Sequence, residues 1–460
     1  MHAHGIRRWL SGAGVVVLVV LPLQGCSDAL KVIDPDIILD ANSAAGAIAL
    51  RNGVFLRLSQ AVNGIQGPDA LFVFSGLLTD EWRSGDTFVQ RNNQDQRVFQ
   101  PENTFNAGPY RALNRVRVEG ERATKGLRTY LPDSTAAVGS MFALTAYVEV
   151  LIGEQYCNGT PLSDIEGSTI IFGDPMTNAA VLQLAVDNAD SALAQAALAP
   201  PRDSLAARKV TRLADVIKGR ALVDLGQFAA AAAAVAGVPT TFKFYAYHST
   251  TSTTNQTWAL NNSARRYTMT PGREGGVGID FVTPNDPRLP RIIGGASVFD
   301  NSVPMTLVRQ GLYGQFDSIP VASGIEARLI EAEAQLQPGG DRALWLADIN
   351  ALRTNAALYP PIGTGLTATR GPTLTALPDP LTDSARVDIH FSERAFWMFS
   401  TGHRLGDMRR LLRQYGRTEA QVYPNGSFVK GGNYGDATMM PVPFDETNNF
   451  NYHQCLDRNP

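Results

Sequence analysis

Apolar residues recur at helical spacing in one segment of this chain after another, so each segment must bury a helix face against a neighbour. Leu144, Tyr147, Val148, Leu151 and Ile152 fall at i, i+3, i+4, i+7 and i+8, one face of an α-helix. Leu182, Ala185, Val186, Ala189 and Leu193 follow the same period, and Pro200-Pro201 stops that segment. Phe391, Ala395, Met398 and Phe399 do so again. Leu405, Met408, Leu412 and Tyr415 come next, with Gly416 as the terminator. Further helices are expected near 43–62, 68–82, 108–130, 204–225, 323–337 and 341–356.

Several of these helices come in pairs joined by a tight turn. Gly219, Leu222, Gly226, Phe228 and Ala231 stand at offsets similar to a tetratricopeptide unit: small residue, bulky residue, turn glycine, aromatic, alanine. Residues 325–337, the turn Pro338-Gly339-Gly340-Asp341 and residues 342–353 make a second helix–turn–helix. Pairs that cannot bury their apolar faces alone stack side by side. The expected fold is therefore mainly α: tetratricopeptide-like helix pairs forming a right-handed superhelical frame, with a loop-rich insertion carrying short strands. That insertion is 239–322, rich in Thr, Asn, Gly and Pro. Its aromatic-bearing runs are Phe242-Lys243-Phe244-Tyr245-Ala246-Tyr247, Trp258 and Arg265-Arg266-Tyr267. Strands and long loops suit it better than helices. Residues 358–384 and 417–460 are likewise punctuated by proline and glycine.

The chain begins as an exported protein does. Arg7 and Arg8 precede an apolar run from 15 to 23, which ends in Leu23-Gln24-Gly25-Cys26. The run is shorter than the roughly 20 apolar residues of a spanning helix. A cysteine directly after a small residue resembles the bacterial lipobox, in which the thiol is acylated and becomes the first residue; the alternative is an ordinary cleaved signal with an incidental cysteine. The expected divisions are a leader at 1–25, a lipidated tether at 26–42, an N-terminal helical region at 43–238, the insertion at 239–322 and a C-terminal helical region with an irregular tail at 323–460. No later segment reads as long and apolar enough to cross a membrane. The 40 basic and 43 acidic residues leave a net charge of −3, or −5 once Arg7 and Arg8 go with the leader. Such mild acidity argues against nucleic acid as a partner. Cys157 and Cys455 remain after the anchor, an even pair that an oxidising compartment would join in a disulfide; two unpaired buried thiols are the alternative.

A family resemblance enters through the C-terminal half. Leu329-Ile330-Glu331-Ala332-Glu333-Ala334 with Asp348-Ile349-Asn350-Ala351-Leu352-Arg353 is similar to the paired-helix signature of the SusD/RagB family. Glu393-Arg394-Ala395-Phe396-Trp397-Met398-Phe399, followed by Gly402-His403-Arg404-Leu405-Gly406-Asp407-Met408-Arg409-Arg410, resembles that family's C-terminal block more closely still. Pro441-Val442-Pro443-Phe444-Asp445-Glu446 and the early Asp80-Glu81-Trp82 also look like family landmarks. The resemblance implies a frame of tetratricopeptide-like helix pairs beneath a loop-rich face. It also implies a partner, a SusC-like TonB-dependent outer-membrane barrel, to which the lipoprotein delivers a captured glycan or peptide.

The sequence carries no catalytic constellation of a familiar kind. Outside the leader the histidines are His248, His390, His403 and His453, with no His-Glu-x-x-His spacing, no cysteine cluster for zinc and no Gly-x-Ser-x-Gly elbow. Gly275-Gly276-Val277-Gly278 lacks the spacing of a dinucleotide loop and reads as a turn. Asp80 with Glu81, or Asp445 with Glu446, are adjacent acids that point apart, not a glycosidase pair. Glu393, Arg394, His403, Arg404, Asp407 and Arg409 read as an ion network between two helices. No cofactor and no metal are called for. Carbohydrate binding needs less: aromatic rings for sugar C–H faces and a few placed polar groups. Two places offer that mixture. One is the loop with Trp82, Arg83, Asp86 and Phe88, with Arg91 and Asn92 nearby; the other is the insertion with Tyr245, Tyr247, Trp258, Asn261, Arg266 and Tyr267. Trp345 and Trp397 lie on apolar helix faces and read as core. The leading reading is a nutrient-binding outer-membrane lipoprotein. A tetratricopeptide-type envelope scaffold without a small ligand is second, and an exported hydrolase third. Loss of glycan retention on mutating Trp82 and Trp258 is expected to separate the first two.

Overall fold

The computed structural model describes residues 42–65, 67–166, 169–453 and 455. Cys26, the leader and the tether up to residue 41 lie outside the described residues. The helices are α1 Ala44–Asn63, α2 Leu71–Leu77, α3 Val89–Asp95, α4 Thr104–Tyr130, α5 Thr135–Gln155, α6 Asn178–Ala197, α7 Ser204–Asp224, α8 Phe228–Val235, α9 Gly324–Gln335, α10 Arg342–Arg353, α11 Asp383–Trp397, α12 Arg404–Arg413 and α13 Glu419–Val422. Several start where a side chain supplies the acceptor that the first turn lacks. Ser43, Thr177, Ser323, Asp341 and Thr382 each accept from a backbone N–H two or three residues on. From α4 to α10 each helix packs on the next, and α1 lies against α4. This is the stacking of paired helices that the sequence period predicts. The α7–α8 pair needs its small residue for contact: a Cβ on Gly219 would lie 2.4 Å from Val235 Cγ1, and Ala231 opposite is fully buried.

One expectation is corrected here. α5 is long and apolar enough to cross a membrane, yet almost all of it is buried inside the protein. It is apolar all round because α4, α6 and α7 cover it, which makes it the central helix of the frame.

The strands are short. They are β1 Arg83–Ser84, β2 Thr160–Pro161, β3 Asp164–Glu166, β4 Thr169–Ile171, β5 Pro175–Met176, β6 Lys243–Ala246, β7 Tyr267–Thr268, β8 Arg291–Ser297, β9 Thr306–Gln310 and β10 Ile319–Ser323. They form antiparallel pairs: β1 with β7, β2 with β5, β3 with β4, β6 with β10 and β8 with β9. The insertion thus holds most of the strand content, and β10 leads directly into α9. Cys157, just after α5, is bonded to Cys455, with Cα atoms 5.8 Å apart.

Charged side chains lock the C-terminal helices together. Arg394 of α11 meets Asp407 of α12 at 2.9–3.2 Å, and Arg410 reaches Glu333 of α9, Asp407 and Asp224 of α7. The Asp407 carboxyl, although buried, is held down at about 2 by these two guanidinium groups. Glu393 receives Arg288 from the insertion and Arg353 from α10. Glu393, Arg394 and Asp407 are therefore members of a structural ion network, whereas Arg409 donates to the backbone carbonyls of Gly153, Glu154 and Tyr156. Trp345 is fully buried, and Trp397 is half-buried against Tyr359.

Candidate functional site

Antiparallel pairing of β1 with β7 joins the two candidate regions. Arg83 lies opposite Thr268 and Ser84 opposite Tyr267, and Gly85 N–H donates to the Arg266 carbonyl at 2.9 Å. Arg265 turns the chain through the left-handed region at φ 58°, an uncommon place for a residue with a Cβ. Its carbonyl accepts from Phe299 N–H and the Gly85 carbonyl from Asp300 N–H, so a third segment is stitched alongside.

A buried carboxylate organises the result. Asp86 is fully buried and receives Arg91 on one oxygen and Arg266 on the other. Arg91 is held from behind by Asp69 through Nε at 3.0 and 3.1 Å, and Tyr267 donates its hydroxyl to Asp69 at 2.6 Å. Burial disfavours the Arg91 charge, but the Asp69 and Asp86 carboxylates raise its pKa above the usual guanidinium value. Lys430 from the C-terminal tail binds the Asp86 carbonyl and, at 2.8 Å, Asp300. The hydrogen bonds from Lys430 and Ser302 hold the Asp300 carboxyl down at about 2.

On this base stands an exposed aromatic face. The Arg266 guanidinium lies 4.1 Å from the centre of the Phe299 ring and 5.1 Å from that of Phe88. Phe88 is 47% exposed, Phe299 39% and the adjacent Val89 59%, while the Arg266 side chain remains partly open. Two exposed rings beside a guanidinium held by a buried carboxylate offer apolar surface to sugar C–H groups or apolar side chains. The guanidinium supplies donors to hydroxyl or carbonyl oxygens.

The sequence-predicted residues divide accordingly. Phe88 and Arg266 meet at the surface. Trp82, Asp86 and Tyr267 are corrected: none faces solvent. Trp82 is fully buried, its ring 5.1 Å from Phe399 and 6.3 Å from Tyr267, with Nε1 donating to Ser400 at 3.3 Å. It seats on Gly76, whose Cβ, were there one, would lie 2.5 Å from Trp82 Cδ1. Asp86 and Tyr267 support the face from beneath. Arg83 is mostly covered and pairs with Glu274 at 2.7 Å. Tyr245 and Tyr247 go elsewhere: their rings lie tilted to one another, 6.2 Å apart, at the end of β6, which packs on α1, and Tyr247 is 53% exposed. Trp258 begins a π-helical turn and is half-buried, while Asn261 is buried and donates to the Tyr267 and Val308 carbonyls. Phe299, Asp69, Lys430 and Asp300 were missed. A lone Phe in a loop and acids far apart in sequence carry no local signal. A separate cleft of about 580 Å³ is lined by none of the predicted residues.

No family model and no curated protein matches this chain. Solved structures do. A SusD-like carbohydrate-binding protein from Bacteroides fragilis superposes with a TM-score of 0.62 at 14% identity, covering 90% of this chain and 99% of that one. A SusD superfamily protein from Bacteroides thetaiotaomicron gives 0.62 at 14% identity, over 91% and 100%. NanU of B. fragilis gives 0.58 at 13%, over 93% and 100%. The likeness runs through essentially the whole of each partner, and at these identities what is shared is the fold: this chain has the SusD-like fold.

Proposed function

We propose that this chain, built on the SusD-like fold, is a SusD/RagB-family lipoprotein that binds nutrients at the outer membrane and is not an enzyme. Its Phe88–Arg266–Phe299 face captures an oligosaccharide, or a peptide, and delivers it to a SusC-like TonB-dependent barrel. The observation that carries the reading is that face itself: two exposed rings flank a guanidinium that a buried carboxylate holds in place. A fixed donor between fixed rings loses little freedom when a ligand docks. The description of the B. fragilis neighbour as carbohydrate-binding supports a glycan as the first class to try. Acylation at Cys26 accounts for retention at the membrane, because two or more acyl chains make an anchor firm.

The test has two arms. Tagged, lipidated protein is pulled from native outer membranes and its partners are identified by mass spectrometry; a TonB-dependent barrel at near-equal stoichiometry is expected. Glycan and peptide arrays are then probed with the native protein and with Phe88→Ala and Arg266→Ala. Retention should fall in both variants; Phe88→Ala should keep its thermal stability, whereas Arg266→Ala, which takes a partner from the buried Asp86, should lose some, so the Phe88 variant is the one that reads binding alone. Envelope factors without a barrel, together with arrays that neither substitution changes, would move the reading to a tetratricopeptide-type scaffold.

A further inference from the structure

α1 and α4 pack side by side and run antiparallel. The Tyr130 hydroxyl at the end of α4 donates to Asn42, just before α1, at 3.2 Å, and Arg57 late in α1 meets Glu119 in the middle of α4 at 3.5 Å. Their charge is one-sided. Together the two helices carry eight arginines and lysines against two acids, in a chain whose net charge is −3. Arg111, Arg115, Arg122 and Lys125 are all exposed, and their spacings of four, seven and three residues keep them on one face of α4. Val118 completes the row, and no acid stands in it. At 1.5 Å per residue the row is about 21 Å long.

The acids nearby do not neutralise it. Arg111 pairs with Asp445 at 2.6 Å, Glu119 faces Arg57, Glu121 pairs with Arg117 at 3.3 Å, and Asp133 beyond the helix end faces Arg202 at 3.9 Å. Asp164 lies beside Glu121, within reach of the Lys125 charge. Arg115 and Arg122 form no ion pair among the described residues. Counting Asp164 and Asp445 against the two helices still leaves a surplus of four positive charges. Exposed charges farther off than about 10 Å are screened, so the acidity of the rest of the chain does not cancel this row. One phosphate could meet only one or two of these cations; a surface of many phosphates meets them all. α1 adds exposed apolar side chains, Ile48 and Leu56, and cations beside exposed apolar groups suit a bed of anionic lipid headgroups. Position favours the same occupant. Asn42 lies at one end of the row, and the sixteen residues back to Cys26 span at most about 58 Å. We infer that the Arg115–Arg122–Lys125 face of α4, with Ile48 and Leu56 of α1, lies on the phosphate headgroups of the membrane that carries the anchor. The setting rests on the anchorage proposed above; the contact itself needs no acyl chain. At its other end α4 carries Phe105, whose ring is 5.7 Å from that of Phe88, so contact along the row sets where the Phe88 face stands relative to the membrane.

The test is vesicle flotation with the full mature chain, carrying Cys26→Ser to leave off the acyl groups. The vesicles are phosphatidylcholine alone, or phosphatidylcholine with one third phosphatidylglycerol. The chain should float with the anionic vesicles at about 0.1 M salt but not at about 1 M, where the Debye length falls from about 10 Å to about 3 Å. It should not float with phosphatidylcholine alone. Arg115→Glu with Arg122→Glu, both at exposed positions, should weaken binding by about thirtyfold or more, with the urea midpoint unchanged. Arg208→Glu with Arg273→Glu makes the same change of charge at exposed positions outside α1 and α4 and should leave binding nearly intact. Failure to float with anionic vesicles overturns the inference, as does equal flotation with both kinds, or an equal loss in the two double variants. Acylation of Cys26 is read separately, from the mass of the N-terminal peptide of the native protein, so failure of the anchor is distinguishable from failure of the basic face.

Discussion

Whether an aromatic side chain near this site binds or supports depends on which neighbours reach it, and substitution separates the two. Trp82→Ala removes a fully buried indole from contact with Phe399 and Tyr267, and should cost about 3–5 kcal/mol in urea unfolding. Phe88→Ala, at a half-exposed position, should stay within about 0.5 kcal/mol on the same measurement yet lose ligand retention. Equal losses of stability in both would remove the distinction. Glu81, next to Trp82, makes a pH prediction. Burial pushes its carboxyl from an ordinary 4.5 up to about 8, opposed by the Ser400 N–H and reinforced by Asp80. The folded protein therefore keeps this proton to higher pH than the unfolded chain, so its contribution to stability falls as pH rises from 4.5 to about 8. Glu81→Gln, which cannot ionise, should gain on the native protein in urea midpoint between pH 5 and pH 8. Residue types were legible here and directions were not. The sequence places Trp82 beside Arg83, Asp86 and Phe88, but Ser400 and Phe399, which bury it, arrive from the far end of the chain.

Helices with an apolar stripe were readable from the period alone, as α6, α7, α9 and α11 demonstrate. α3, Val89–Asp95, escaped because it is nearly all polar and has no apolar stripe to betray it. α5 was legible as a helix from the stripe at 144–152, but not as one covered on every side; length and composition equally suit a membrane span, and only its neighbours decide. Burial also governs how the elements are joined. Arg220 of α7 and Glu326 of α9 form an ion pair with both side chains 2% exposed. Glu326→Ala leaves the Arg220 charge buried with one remaining acceptor, the Val321 carbonyl, and should cost about 3–5 kcal/mol. Replacing both partners, as Arg220→Met with Glu326→Leu, should recover much of that loss. Chemical denaturation of the native protein and the two variants decides it; a double variant no better than the single would show that the pair is not held by charge.

The Cys157–Cys455 bond closes a loop of 298 residues and ties the end of the chain to the frame. Replacing both cysteines by serine should lower stability by about 2–5 kcal/mol and open the C-terminal tail to limited proteolysis. An unchanged digestion pattern would mean that the tail is held by its other contacts, among them Asn449 and Asn451 on the carbonyls of Gly173 and Phe172. At this scale the helical frame was legible, because it follows from repeated local patterns. The meeting of β1 with β7 was not, since two residues on each side leave no period to read. That small ladder has a temporal consequence. The Phe88–Arg266–Phe299 face draws on three stretches far apart along the polypeptide, with Lys430 added from a fourth, and closing such long loops is slow and entropically costly. A chain emerging from its N-terminus can build α1 to α8 while the face is still absent. On the proposed reading, capture would then come only once residue 430 has been made, and a copy cut short before it would carry the frame without the completed face.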